Sequence, residues 1–173
     1  MIALAEKLAK LGIRPVDGTA LQPFSEAEIA RLEKALGVRL PEDYRQFLLA
    51  FGRSMFSGEV NCTPSAEPLY FGCFFGFTEL LTAINGLAET LPETIIPIGD
   101  DGADMVFCLG VKGADAGKVY CHNENIGWHA DAESYLKRGE PVPPDIRYQT
   151  VHKIADSFQA FINNMQREEE ANH

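Results

Sequence analysis

No apolar run in the 173-residue sequence approaches the ~20 residues that a membrane-spanning helix needs. The N-terminal stretch MIALAEKLAKLGIRP makes a poor secretion signal, because Glu6, Lys7 and Lys10 interrupt its apolar run. It reads better as a short amphipathic helix, with Ile2, Leu4, Ala5, Leu8 and Leu11 along one side and Gly12 at its end. A cytoplasmic protein with no membrane partner is the expectation. Cysteine is sparse: Cys62, Cys73, Cys108 and Cys121 lie far apart with no Cys-x-x-Cys pair, so free thiols are expected rather than a disulfide framework. Cations are the scarcer charge, 15 Lys and Arg against 25 Asp and Glu, for a net charge of −10. Nucleic-acid binding runs on phosphate neutralisation, so this balance disfavours that class. An acidic surface instead speeds encounter with basic partners.

Catalytic signatures are absent as well. No Gly-x-Ser-x-Gly elbow surrounds Ser54, Ser57, Ser65, Ser134 or Ser157. Gly72, Gly76, Gly110, Gly113 and Gly117 fall within or between expected strands, whereas a phosphate-binding loop needs its glycines between a strand and a helix. Cys121 and His122 make a poor nucleophile–base pair, because neighbours on a strand face opposite ways. There is no His-Glu-x-x-His, and Asp-Asp-Gly-Ala-Asp lacks the periodic ligands of a calcium loop. What is left is scattered ligand material. Asp100, Asp104, His122 and His129 are the residues that a small metal-dependent hydrolase would have to use. A zinc site at Cys121, His122 and His129 would need a fourth ligand from elsewhere. No cofactor is expected.

What the chain does have is well-marked local structure. In FSEAEIARLEKALG, Ser25 can cap a helix while Glu28 completes a capping box, and Phe24 and Ile29 sit where a hydrophobic staple would clamp the entry. Ile29, Leu32 and Leu36 follow the helical period and Gly37 supplies a left-handed stop. A second helix opens at Pro41, buries Tyr44, Phe47, Leu48 and Phe51, and ends at Gly52. Residues 53–68 read as a connecting loop. Residues 69–77, LYFGCFFGF, read as a buried, bent strand, and 78–91 as a helix capped by Thr78 with Gly86 an awkward interior residue. TIIPIG (94–99) reads as a strand at an edge or ending at Pro97, and 100–104 as a turn. Residues 105–110 and 118–123 form an antiparallel hairpin around a Gly-rich turn. A polar loop with Pro141, Pro143 and Pro144 follows Trp128 and His129. The stripe Val151, Ile154, Ala155, Phe158, Phe161, Ile162 and Met165 then predicts one long helix over 151–166. Helices at both ends of a strand meander indicate an α+β fold.

Three pieces of this order carry a resemblance. They are Ile29-x-x-Leu32-Glu33 with Leu36-Gly37-x-x-Leu40-Pro41-x-x-Tyr44-x-x-Phe47-Leu48; Ile96-Pro97-Ile98-Gly99-Asp100 leading to Gly117-x-Val119-Tyr120; and Ala155-x-Ser157-Phe158-x-x-Phe161-Ile162. Together they resemble the SUKH superfamily over about residues 25–165. The resemblance implies one α+β domain over 1–173, with a central, mostly antiparallel sheet flanked by N-terminal helices and a C-terminal helix. Residues 1–24 would be a helix and connector, and 167–173 a charged tail. Three departures stand out: Phe51 where Asn commonly precedes Gly52, Ala103 before Asp104 where Gly is common, and Cys121-His122 where an aromatic commonly follows Val-Tyr.

The resemblance implies binding rather than catalysis. Bacterial members are regarded as immunity proteins that neutralise a toxin, and fungal members look like regulatory scaffolds. The family shares no catalytic motif, so no catalytic residue is expected here. An acidic member suits a basic, nuclease-type toxin whose active site attracts phosphate. The candidate partner-binding residues are Asp100, Asp101 and Asp104, with Glu124, Asp131 and Glu133 as additions and Trp128 as a possible aromatic anchor. Asp100 and Asp101 equally fit as turn builders, and Trp128 as buried core.

Overall fold

The computed structural model describes residues 2–63, 67–123 and 126–168. Helix α1 (Ile2–Lys10) buries Leu4 and Leu8, with Leu11 just beyond its end. Helix α2 (Glu26–Leu36) is entered through the capping box: Glu28 N–H donates to Ser25 Oγ at 3.1 Å, and Ser25 N–H donates to Glu28 Oε2 at 2.9 Å. Gly37 closes it in the left-handed region at φ 67°. Helix α3 (Glu42–Ala50) takes Pro41 as its cap and buries Tyr44, Phe47 and Leu48.

Seven strands form one antiparallel sheet. Its order is β1 (Ile13–Arg14), β2 (Ser54–Phe56), β4 (Cys73–Phe74), β5 (Ile95–Asp100), β6 (Val106–Gly110), β7 (Val119–His122) and β8 (Val151–Ala155). A separate pair joins β3 (Val60–Asn61) to β9 (Gln166–Arg167). The remaining helices are α4 (Phe77–Gly86), α5 (Ile126–Lys137), α6 (Pro144–Arg147) and α7 (Phe158–Asn164). One sheet face carries Phe74, Phe107, Leu109 and Val119 into the main core, where they meet side chains of α1, α2, α3 and α7. The result is α+β.

Several elements differ from the sequence expectation, each for a physical reason. The 53–68 stretch is not only loop, since β2 and β3 lie within it. The aromatic strand shrinks to Cys73–Phe74, because Phe77 already begins α4. That helix is capped by Gly76 without a side-chain bond, not by Thr78, and it stops at Gly86. Pro97 sits in the fourth of seven strands, not at an edge. The β5–β6 register shifts between Pro97 and Gly99, and a bulge of that kind accommodates a residue without an N–H. Trp128 and His129 lie within α5, and the loop after it, with Pro141 and Pro143, ends where Pro144 opens α6. Finally, 151–166 is a strand and a helix. Ser157, hidden inside the apolar stripe, caps α7 by accepting the Ala160 N–H at 3.0 Å.

Tyr44 is 1% exposed, and its hydroxyl has no hydrogen-bond partner among the described residues. Burial alone pushes the phenol's pKa far up. Tyr44→Phe is therefore expected to stabilise the fold by about 1 kcal/mol, by removing a buried unsatisfied group. The urea midpoint should rise with the slope unchanged. A lowered midpoint would show that an enclosed water satisfies the hydroxyl.

Candidate functional site

The acidic turn links β5 to β6 and is built by its own carboxylates. Asp101 Oδ1 accepts the N–H groups of Ala103 at 2.8 Å and Met105 at 3.1 Å, while Asp101 N–H donates to the Met105 carbonyl at 3.1 Å. Asp100 Oδ1 accepts the Gly102 N–H at 3.0 Å and lies 3.5 Å from the Cys73 thiol. Gly102 takes the left-handed position at φ 81°, so Ala103 needs no positive φ and its methyl is tolerated. Asp100 and Asp101 are thus turn builders, each with one oxygen spent. Their second oxygens carry no hydrogen bond among the described residues, and Asp104 is exposed with neither bond nor ion pair there. The turn is a pre-ordered acidic tip.

The metal-ligand material is not brought together. Asp100 pairs with Val106 and Val106 with His122, so all three share one face. Two strand spacings separate Asp100 from His122, roughly 10 Å between backbones. His122 is 4% exposed, with Nδ1 3.1 Å from Thr150 Oγ1. That hydroxyl gives its own proton to the Arg147 carbonyl at 2.9 Å, so Nδ1 is the donor. His129 lies exposed on α5 with its ring 4.9 Å from Trp128. Among the described residues, no group of three His, Cys, Asp or Glu could hold a metal ion. Cys121 faces Phe107 on the sheet side opposite His122, as strand alternation requires. All four cysteines are free thiols. Burial pushes Cys62 and Cys73 up to about 12 and raises Cys108 and Cys121, so none is poised as a nucleophile.

The outer candidates divide. Trp128 is 4% exposed and packs with Ala132 and Val142 in a small core between α5 and α6, so it is not a surface anchor. Asp131 is exposed and accepts Gln149 Nε2 at 3.1 Å. Glu133 is exposed and pairs with Lys137 one turn on at 2.5 Å. Glu124 lies outside the described residues. Strand directions place the 100–105 turn, the end of β7 and the entry to α5 at one end of the sheet.

A sequence profile described as the SMI1 / KNR4 family (SUKH-1) matches residues 23–164. The chain belongs to that family. The match runs from the entry of α2 to the last residue of α7, and so includes the acidic turn and both α5 and α6. No curated protein matches the chain.

At the opposite end of this SUKH-1 sheet lies a polar centre that no motif announced. Asp115, in the β6–β7 connection, accepts from Tyr120 at 2.7 Å on Oδ1, and from Thr94 at 2.6 Å and the Tyr148 hydroxyl on Oδ2. Burial pulls its pKa up, but hydrogen bonds from Thr94, Tyr148 and Tyr120 outweigh that and hold it below the usual carboxylate value. Burial first, and then the hydrogen bond to Asp115, raises both phenols. Arg147, 8% exposed at the end of α6, bonds only to backbone among the described residues: Nε donates to Val142 O at 2.8 Å, and Nη1 to Ala88 O at 2.9 Å and Leu91 O at 3.1 Å. Together they fasten the α5–α6 excursion to the segment between α4 and β5.

Proposed function

We propose that this SUKH-1 protein is an immunity-type binding module that neutralises a basic, nuclease-type protein toxin in the cytoplasm, folding as one domain over 1–173. Family membership supports a protein-interaction role, immunity or regulatory. The observation that carries the toxin reading is the acidic tip. Asp100 and Asp101 fix the turn through one oxygen each, and Asp104 stands exposed beside them with no bond among the described residues. A net charge of −10 behind that tip gives long-range attraction for a cationic partner. Asp131 and Glu133 on α5 extend the acidic surface.

Asp104→Lys is the decisive variant, because Asp104 holds nothing in the fold, whereas reversing Asp100 or Asp101 would dismantle the turn. The partner is first recovered by affinity capture from the native cell. Stopped-flow association at low salt should then be about tenfold slower for the variant, with a shallower salt dependence and unchanged thermal stability. Wild-type kinetics in the variant would remove the tip from the interface.

A further inference from the structure

Arginine presents five N–H donors, and Arg147 uses three of them on the carbonyls of Val142, Ala88 and Leu91. The two on Nη2 meet no acceptor among the described residues. Nη2 is also not among the enclosed polar atoms that lack a partner, so it opens to solvent. The space Arg147 borders is a cleft of about 370 Å³ between the exit of α4 and the start of β5, within the range of ligand pockets. Leu36, Ile84, Leu87, Leu91, Ile95 and Ile96 give part of its wall an aliphatic lining. Lys112 borders the same cleft, and like Arg147 it has no ion pair among the described residues. A cation nine-tenths buried without a counter-ion is costly, and backbone carbonyls offset only part of that.

We propose that this cleft binds a small aliphatic monocarboxylate, its carboxylate oxygen on Arg147 Nη2 with Lys112 beside it and its chain along the Leu and Ile walls. The volume and the Leu and Ile lining suit a short aliphatic chain. Glu93 also borders the cleft and is exposed, so it disfavours a second negative charge on the ligand. An adjoining cleft of about 270 Å³ shares Arg147 but is a poorer anion site. Among the described residues it has no second cation, and its Thr94 and Tyr148 already serve the Asp115 carboxylate. The proposed site lies at the Ile95 end of β5, five residue steps or ~17 Å from Asp100, so it stands apart from the toxin-binding reading.

The test is isothermal titration of the intact protein with sodium octanoate and, separately, with 1-octanol. Octanoate should bind saturably at one site and at least tenfold more tightly than the alcohol. Lys112→Gln should weaken octanoate several-fold and leave the alcohol unchanged. Arg147→Met should abolish the preference for octanoate. Because that variant also loses three bonds to backbone, Lys112→Gln carries the test if it does not fold. No saturable octanoate binding, equal binding of the two probes, or an unchanged octanoate affinity in Lys112→Gln would each overturn the proposal.

Discussion

Replacing Phe47 by alanine is expected to cost about 3–5 kcal/mol, a large part of the roughly 5–15 kcal/mol that holds an ordinary domain folded. Phe47 is fully buried, with ring centroids 4.5 Å from Phe74, 5.2 Å from Phe158, 5.6 Å from Phe51 and 6.3 Å from Tyr44. Those contacts join α3 to β4 and α7, which are 27 and more residues away in sequence. The cavity cannot refill cheaply. Phe74 is pinned by strand pairing on both sides, to Ser54 and to Gly99, and Phe158 follows directly on the Ser157 cap. Urea unfolding should show the loss as a lowered midpoint, and Phe47→Leu should recover more than half of it. A cost below about 1.5 kcal/mol for Phe47→Ala would mean that the neighbouring rings collapse into the space.

Local chemistry was legible in the sequence, and long-range placement was not. The Ser25–Glu28 box and the Gly37 stop depend on residues within one turn of each other, and both formed where residue identity put them. The acidic turn was readable for the same reason, and its structural role in Asp100 and Asp101 follows from Asp side chains bonding N–H groups two residues on. Residues 151–155 read as helix in the sequence because Val151, Ile154 and Ala155 satisfy a helical period by coincidence. Pairing with β7 decides their conformation, and that partner begins 32 residues earlier. Helix α5 leaves little signal in the sequence because its buried side chains among the described ones, Trp128 and Ala132, serve only a small core shared with α6. Asp115 gave no signal at all. Its partners lie 5, 21 and 33 residues away, and only the folded sheet brings them together.

Gly110→Ala should be the second most damaging change, at roughly 3 kcal/mol, near the upper end for overpacking. Gly110 ends β6, and a Cβ there would lie 1.8 Å from the Asp115 carbonyl oxygen and 2.5 Å from its carbon. The obstacle is backbone, so no rotamer change relieves it. The same turn is held by Gly110 N–H donating to Lys118 O at 2.8 Å and Gly117 N–H donating to Gly110 O at 2.9 Å. Room for the methyl therefore comes only by displacing Asp115 from Thr94, Tyr120 and Tyr148. This gives the variant a pH signature. Asp115 has its folded pKa depressed, so its stabilisation is present above the ordinary carboxylate value of ~3.9 and is lost as pH falls through the folded value. The stability gap between wild type and Gly110→Ala should accordingly be widest near neutral pH and narrow below about pH 4. Urea titrations at pH 7 and pH 3.5 measure both quantities. A variant within about 0.5 kcal/mol of wild type, the scatter of a neutral surface change, would show that the connection moves freely. A large loss independent of pH would confine the damage to the strand end and leave the Asp115 centre intact.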